Sequence, residues 1–160
     1  REFAVRVPPG IEDGEVTGVR GVGEAGRGGG PAGDLQVLVR VAPHPLLRRD
    51  GRDLRVTAPV PFELVALGGE LEVPTLEGSA RLRLPPGTQP RTIFRLPGKG
   101  LPGPGERDRP ADLYVEIDVE IPSSLDPAAR AAIEAVTRTC GEANTPRRAA
   151  DQRALRAGAR

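Results

Sequence analysis

The chain has 160 residues, 38% of them apolar and 2% aromatic, and a formal net charge of +1, so no global field favours nucleic acid or a membrane surface. Its 21 Gly and 18 Pro make up about a quarter of the residues, so turns are many and elements short, and the apolar share is low for a single deep core. Cys140, the only cysteine, excludes an internal disulfide and any multi-cysteine zinc site within this sequence.

Residues Phe3 to Val7 alternate apolar and polar, the period of a half-buried strand, and Pro8-Pro9-Gly10 stops them. After a turn at Glu12-Asp13-Gly14, residues Val16 to Arg20 form a poorer strand, weakened by Gly18. Gly21 to Gly33 holds seven Gly in thirteen residues and is loop. Such a loop cradles phosphate only when a helix N-terminus follows it, and here the strand Leu35 to Val41 follows. Its Leu35, Val37, Val39 and Val41 share one face, while Leu38 sits among polar residues on the other, as in a strand covered on both sides. Ala42-Pro43-His44-Pro45 ends it, and His44, the only histidine, has no nucleophile or second ligand near it in sequence, so its expected role is structural.

Asp50-Gly51 in the charged run Arg48 to Asp53 signals a hairpin tip. The strand Leu54 to Val60 follows. Phe62, Val65 and Ala66 then fall at i, i+3 and i+4 within Pro61 to Leu67, predicting a one- to two-turn helix that Gly68-Gly69 ends. Leu71 to Pro74 and Ala80 to Leu84 read as a hairpin around Glu77-Gly78. Later, Leu113, Val115, Ile117, Val119 and Ile121 alternate with Tyr114, Glu116, Asp118 and Glu120, which predicts an antiparallel sheet with one wet face. The three acids have no histidine or second acidic cluster beside them to complete a metal or general-acid site. Asp126-Pro127 opens a helix, with Asp as N-cap and Pro in the first position. Ala129, Ala132, Ile133 and Val136 give it a narrow apolar stripe as far as Thr139. At about 13 residues such a helix is marginal alone and needs a docking surface. From Gly141 onward Arg147, Arg148, Arg153, Arg156 and Arg160 face only Glu142 and Asp151, and a disordered basic tail is expected.

The chain also repeats itself. Pro9 to Pro86 and Gly21 to Gly98 are both shifts of 77, and Asp34 to Asp112 is a shift of 78. A register held this closely marks two copies of one β unit. No nucleophile with its base, metal cluster or nucleotide loop is present in either copy, so an enzyme is not expected. A tandem binding or scaffolding module is the physical default.

Two series of motifs carry a resemblance. Val5 to Gly14, Gly23-Glu24-Ala25-Gly26, Gly33-Asp34-Leu35 and Pro43 to Gly51 resemble the first C-terminal domain of DnaJ-type (J-domain protein) co-chaperones. Ala66 to Glu70, Val73 to Gly78, Pro86 to Gln89, Gly98-Lys99-Gly100 and Asp112 to Val115 resemble the second. The resemblance covers about residues 3–139 and implies a mainly β chain of two tandem small β-sandwich domains, each with a short helix, then a C-terminal helix and the tail. The expected divisions are 1–52 for a partial first domain, 53–121 for the second, 122–140 for linker and dimerisation helix, and 141–160 for the tail.

For function, the resemblance implies a shallow apolar groove in the first domain, where unfolded protein clients and the acidic tail of a DnaK-type chaperone add as an extra strand. Leu47 falls where the family places a large apolar groove residue, with Phe3 and Val5 on an adjoining strand as further candidates. The helix stripe of Ala129, Ala132, Ile133 and Val136 would join two protomers into a homodimer, though its small side chains bury little area. The family's His-Pro-Asp triplet is absent, since His44-Pro45-Leu46 is not that triplet. The chain is expected to be a C-terminal fragment of a cytoplasmic protein, with the first domain's opening strands upstream. No cofactor is expected in it, although a zinc module could lie upstream. Two other readings remain open at this point: a DNA-associating relative, motivated by the Arg-rich tail, and a structural adaptor without client affinity.

Overall fold

The computed structural model describes residues 2–103, 109–140 and 150–151. The chain divides into two compact units, Arg1–Glu120 and Ile121–Arg160. The basic tail expected over 141–160 lies almost wholly outside the described residues.

The first unit is mainly β. Its strands are β1 (Val16–Val19), β2 (Leu35–Leu38), β3 (Arg48–Asp50), β4 (Asp53–Pro61), β5 (Gly69–Thr75), β6 (Gly78–Leu84), β7 (Ile93–Leu96) and β8 (Leu113–Glu120), with helix α1 (Phe62–Leu67) between β4 and β5. They form a two-stranded β1-β2 sheet, a four-stranded sheet in the order β3-β4-β8-β7, and a β5-β6 hairpin. Alternation decides which side of the large sheet is dry. Leu54, Val56, Ala58 and Val60 of β4 and Leu113, Val115 and Ile117 of β8 all point inward and are buried. There they meet Val65 of α1, Val73 of β5 and Leu82 and Leu84 of β6 in one core.

The helix ends where Gly68 adopts φ 79 and its N–H reaches the Leu64 carbonyl at 2.9 Å. A Cβ on Gly68 would stand 2.8 Å from Pro86 N, so only glycine fits between the helix end and the strand leaving β6.

The repeat is visible bond by bond. The pairs Val16↔Leu38 through Val19↔Leu35 in β1-β2 become Ile93↔Glu116 through Leu96↔Leu113 in β7-β8 under the same shifts of 77 and 78. The Gly21 N–H donates to Asp34 Oδ1 at 2.9 Å, and the Gly98 N–H donates to Asp112 Oδ1 at 2.9 Å. Gly23 N–H to the Gly33 carbonyl recurs as Gly100 N–H to the Ala111 carbonyl, both at 2.7 Å. Gly14, at φ 80, is matched by Arg91 at φ 63, a left-handed conformation that an arginine adopts at some cost.

Four expectations are corrected. Residues Phe3 to Val7 form no strand. Under the 77-residue shift they correspond to β6, which is held by seven cross-strand pairs with β5. No described strand pairs with Phe3 to Val7, and alternation without a partner does not make a strand. Second, β2 ends at Leu38 rather than Val41, because its partner β1 begins at Val16; beyond it, Val39 keeps single bonds to Gly14 and Glu15. Third, the sheet is not wholly antiparallel. β8 runs parallel to β4 from Leu54↔Leu113 to Pro61↔Glu120. The chain between them passes through α1, β5, β6 and β7, a connection long enough to bring β8 back in the same direction. Fourth, Ile121 is 70% exposed, since the pairing with β4 stops at Glu120 and leaves Ile121 without a sheet neighbour.

The second unit contains helix α2 (Pro127–Thr139). Its start follows the sequence signal: Asp126 Oδ1 accepts from the Ala129 N–H at 2.7 Å, and Pro127 holds the first turn.

Candidate functional site

The two copies of the β unit leave a cleft where they meet. The turn Glu12-Asp13 and the segment Val41 to Pro45 come from the first copy, while Leu54, Leu76 and Leu101 come from the second. Together they border a cleft of about 970 Å3. Leu47 and Leu54 are buried at its floor, at 5% and 4% exposure, and Leu101 is half-buried beside them. Leu76 and Val41 stand 50% and 44% exposed at the rim, so apolar surface continues from the floor to the outside.

Three polar devices hold these walls. His44 Nδ1 accepts the N–H groups of Leu46 at 3.2 Å and Leu47 at 3.0 Å, which folds the chain back and turns Leu47 inward. This is the structural role expected of the only histidine. Asp13 Oδ1 accepts the Val41 N–H at 2.8 Å and joins the two first-copy segments. Arg49 on β3 reaches the carbonyls of Ile11 and Gly10 at 2.6 and 2.7 Å, with Glu12 Oε1 3.7 Å away.

Away from the cleft, Asp112 has its carboxyl held below the usual carboxylate range, chiefly by the Gly98 N–H; burial opposes this, and the Arg95 guanidinium 2.6 Å away adds to the lowering. The Arg55 guanidinium is pushed up by its hydrogen bond and ion pair with Asp50 at 2.8 Å, and it also lies 5.6 Å from the centre of the Tyr114 ring. These groups brace the outer face of the large sheet.

Of the candidate groove residues, Leu47 lies at the cleft floor. Phe3 is 44% exposed and Val5 half-buried, and neither borders the cleft. On α2, Ala129 and Ile133 are half-buried while Ala132 and Val136 are exposed, and no residue of the helix is fully buried. Among the described residues no three His, Cys, Asp or Glu side chains could hold a metal ion together. Cys140 is exposed just past the end of α2. Sequence reasoning missed Glu12, Asp13, Arg49 and Leu76. The Pro-Pro-Gly and Asp-Gly turns that place the first three were legible, but nothing local signalled that these turns meet.

A duplicated β unit with a closed second copy, an apolar cleft between the copies and a separate capped helix defines a tandem β binding module. The profile of the family described as DnaJ C terminal domain matches residues 1–122, and the chain belongs to that family. It is 45% identical over 142 residues to "Chaperone protein DnaJ" of Acidithiobacillus ferrooxidans, which covers 89% of this chain and 38% of that relative. Proteins of the same name from Caldicellulosiruptor bescii and Leptothrix cholodnii are 46% and 48% identical over 125 residues, covering 78% of this chain and 32% of each relative. The chain thus spans about a third of the length of these curated relatives. No helix among the described residues is long and apolar enough to cross a membrane.

Proposed function

We propose that this chain is the client-binding and dimerising region of a cytoplasmic DnaJ-type co-chaperone, which holds unfolded polypeptides and passes them to a DnaK-type chaperone. The observation that carries this reading is the cleft whose apolar surface runs from buried Leu47 and Leu54 to exposed Val41 and Leu76. A groove of this kind takes an extended chain by its apolar side chains, while the fixed turns around it stay in place. The relatives' shared name, a chaperone, agrees with a ligand defined by exposed apolar residues rather than by a particular sequence. Residues 1–52 supply the first wall, 53–121 the second wall and the closed core, and 122–140 the linker and the helix whose Ala129, Ala132, Ile133 and Val136 pair two protomers. Two clefts on one dimer raise avidity for a long client without any new contact.

The test is suppression of aggregation of a chemically unfolded substrate, without ATP, by the unmodified chain and by Leu76→Asp. Leu76 is half-exposed, so the substitution spares the core while putting a charge on the rim. Suppression should fall several-fold in Leu76→Asp with the circular dichroism spectrum unchanged. Equal suppression by both proteins would remove the cleft from the reading.

A further inference from the structure

Arg49 makes contacts that its place on a three-residue edge strand does not require. Its Nε donates to the Gly51 carbonyl at 2.7 Å, its Nη1 to the Ile11 carbonyl at 2.6 Å and its Nη2 to the Gly10 carbonyl at 2.7 Å. Glu12 Oε1 lies 3.7 Å from Nη2, and the Arg49 side chain is 28% exposed. Three carbonyls held by three different N–H directions is a geometry that only a guanidinium supplies. Two of those carbonyls belong to the opening turn of the first copy. The third is the tip of the hairpin that starts the large sheet of the second copy. On its other side the same turn is closely packed, because a Cβ on Gly10 would stand 3.1 Å from the Pro102 carbonyl.

The residues immediately after this turn, Glu12 and Asp13, form one wall of the cleft, and Leu47 and Leu54 form its floor. We infer that Arg49 is a positioning residue which fixes the opening of the cleft, and thereby its affinity for extended apolar peptides. The affinity half of this inference rests on the reading of the cleft as the client site. Arg49 does not belong to the buried core, and β3 keeps its backbone pairing with β4 whatever its side chain is. Loss of the grip therefore changes the cleft rather than the fold. Glu12 contributes only a long ion pair, so the carbonyl grip and not the charge is the operative contact.

The experiment uses the whole chain in a Cys140→Ser background, with spin labels on Gln36→Cys and Asp118→Cys, exposed positions of the two copies. Arg49→Lys retains the charge and loses the three-carbonyl grip. It is expected to lengthen or broaden the distance distribution and to weaken binding of a fluorescent Leu-rich peptide about tenfold. The urea midpoint reported by Tyr114 fluorescence is expected to stay unchanged. Glu63→Gln, at an exposed carboxylate that does not border the cleft, should leave both distance and affinity as they were. Gly10→Ala pushes the same turn from its other side and should reproduce both effects, which keeps the test open if Arg49→Lys folds poorly. An unchanged distance in Arg49→Lys, or a changed distance with unchanged affinity, overturns the inference, as does a Glu63→Gln effect as large as that of Arg49→Lys. If the unmodified chain binds no peptide, the client-site reading and the affinity half fail together. The label distances then decide by themselves whether Arg49 sets the cleft.

Discussion

Leu35 and Leu113 are the same residue at the same place in the repeat, related by the shift of 78 and each paired to the last residue of its neighbouring strand, Val19 or Leu96. Their surroundings differ. Leu113 is 0% exposed, flanked by β4 on one side and β7 on the other, and belongs to the main core. Leu35 is only half-buried, and the sheet that holds it has two strands. Truncating a fully enclosed Leu to Ala removes its transfer free energy and leaves a cavity, a loss of about 3–5 kcal/mol. A half-covered Leu whose neighbours can close in loses about 1 kcal/mol. With a urea m-value of about 1–3 kcal/mol/M, Leu113→Ala should lower the unfolding midpoint by about 1–5 M and Leu35→Ala by about 0.3–1 M, a roughly three- to fivefold smaller loss at any one m-value. The chain has no Trp and one Tyr, Tyr114, which lies on β8 beside Leu113. Its fluorescence follows the large sheet, and far-ultraviolet circular dichroism follows all the strands. Equal midpoint losses in the two variants would refute the reasoning, because they would mean that the first copy is closed as tightly as the second.

Further outcomes follow from single contacts. Asp112, held below the ordinary carboxylate range, contributes stability that is fully present above the unfolded value near about 4 and is lost as pH falls through its lower folded value. Acid unfolding followed by circular dichroism should therefore steepen below about pH 4, and Asp112→Asn should flatten that slope. Asp126→Ala removes the cap on the Ala129 N–H and should cost about 1 kcal/mol of α2, seen as lost ellipticity at 222 nm with β8 unaffected. Should α2 pair two protomers, Ile133→Asp lowers the sedimentation coefficient to that of a monomer, and an unchanged coefficient excludes the helix from the interface.

What the sequence disclosed depended on the range of each interaction. The β8 alternation and the Asp126-Pro127 helix start are local patterns, and both were realised close to the predicted residues. The duplication was legible because its glycines and aspartates occupy turns whose backbone tolerates little else, as the matched Gly21–Asp34 and Gly98–Asp112 bonds display. The parallel pairing of β4 with β8 was not legible, since alternation is the same for either strand direction. Nor was the fate of Phe3 to Val7, whose pattern suits a strand but whose pairing depends on another segment. The cleft was harder still. Arg49 meets Gly10 across 39 residues, and Leu76 and Leu47 border one cleft through folding alone. Only Leu47 was reached beforehand, through family resemblance rather than periodicity.

The inequality of the copies also explains where a binding surface can sit. In the second copy, β4, α1, β5 and β6 close over β8, and Leu47 is the one first-copy residue buried in that core. Opening that core would cost several kcal/mol for each large side chain exposed, which makes it a poor place for reversible binding. In the first copy, Leu35, Val37 and Val39 are only half-buried, and its turns are fixed by hydrogen bonds that Asp13 and Asp34 accept and Arg49 donates rather than by a packed interior. Of these, Arg49 alone links the first copy's opening turn, at the Gly10 and Ile11 carbonyls, to the Gly51 hairpin tip that leads into β4. The cleft lies on that boundary, with Leu47 and Leu54 of the packed core at its floor and the polar turns at its far wall.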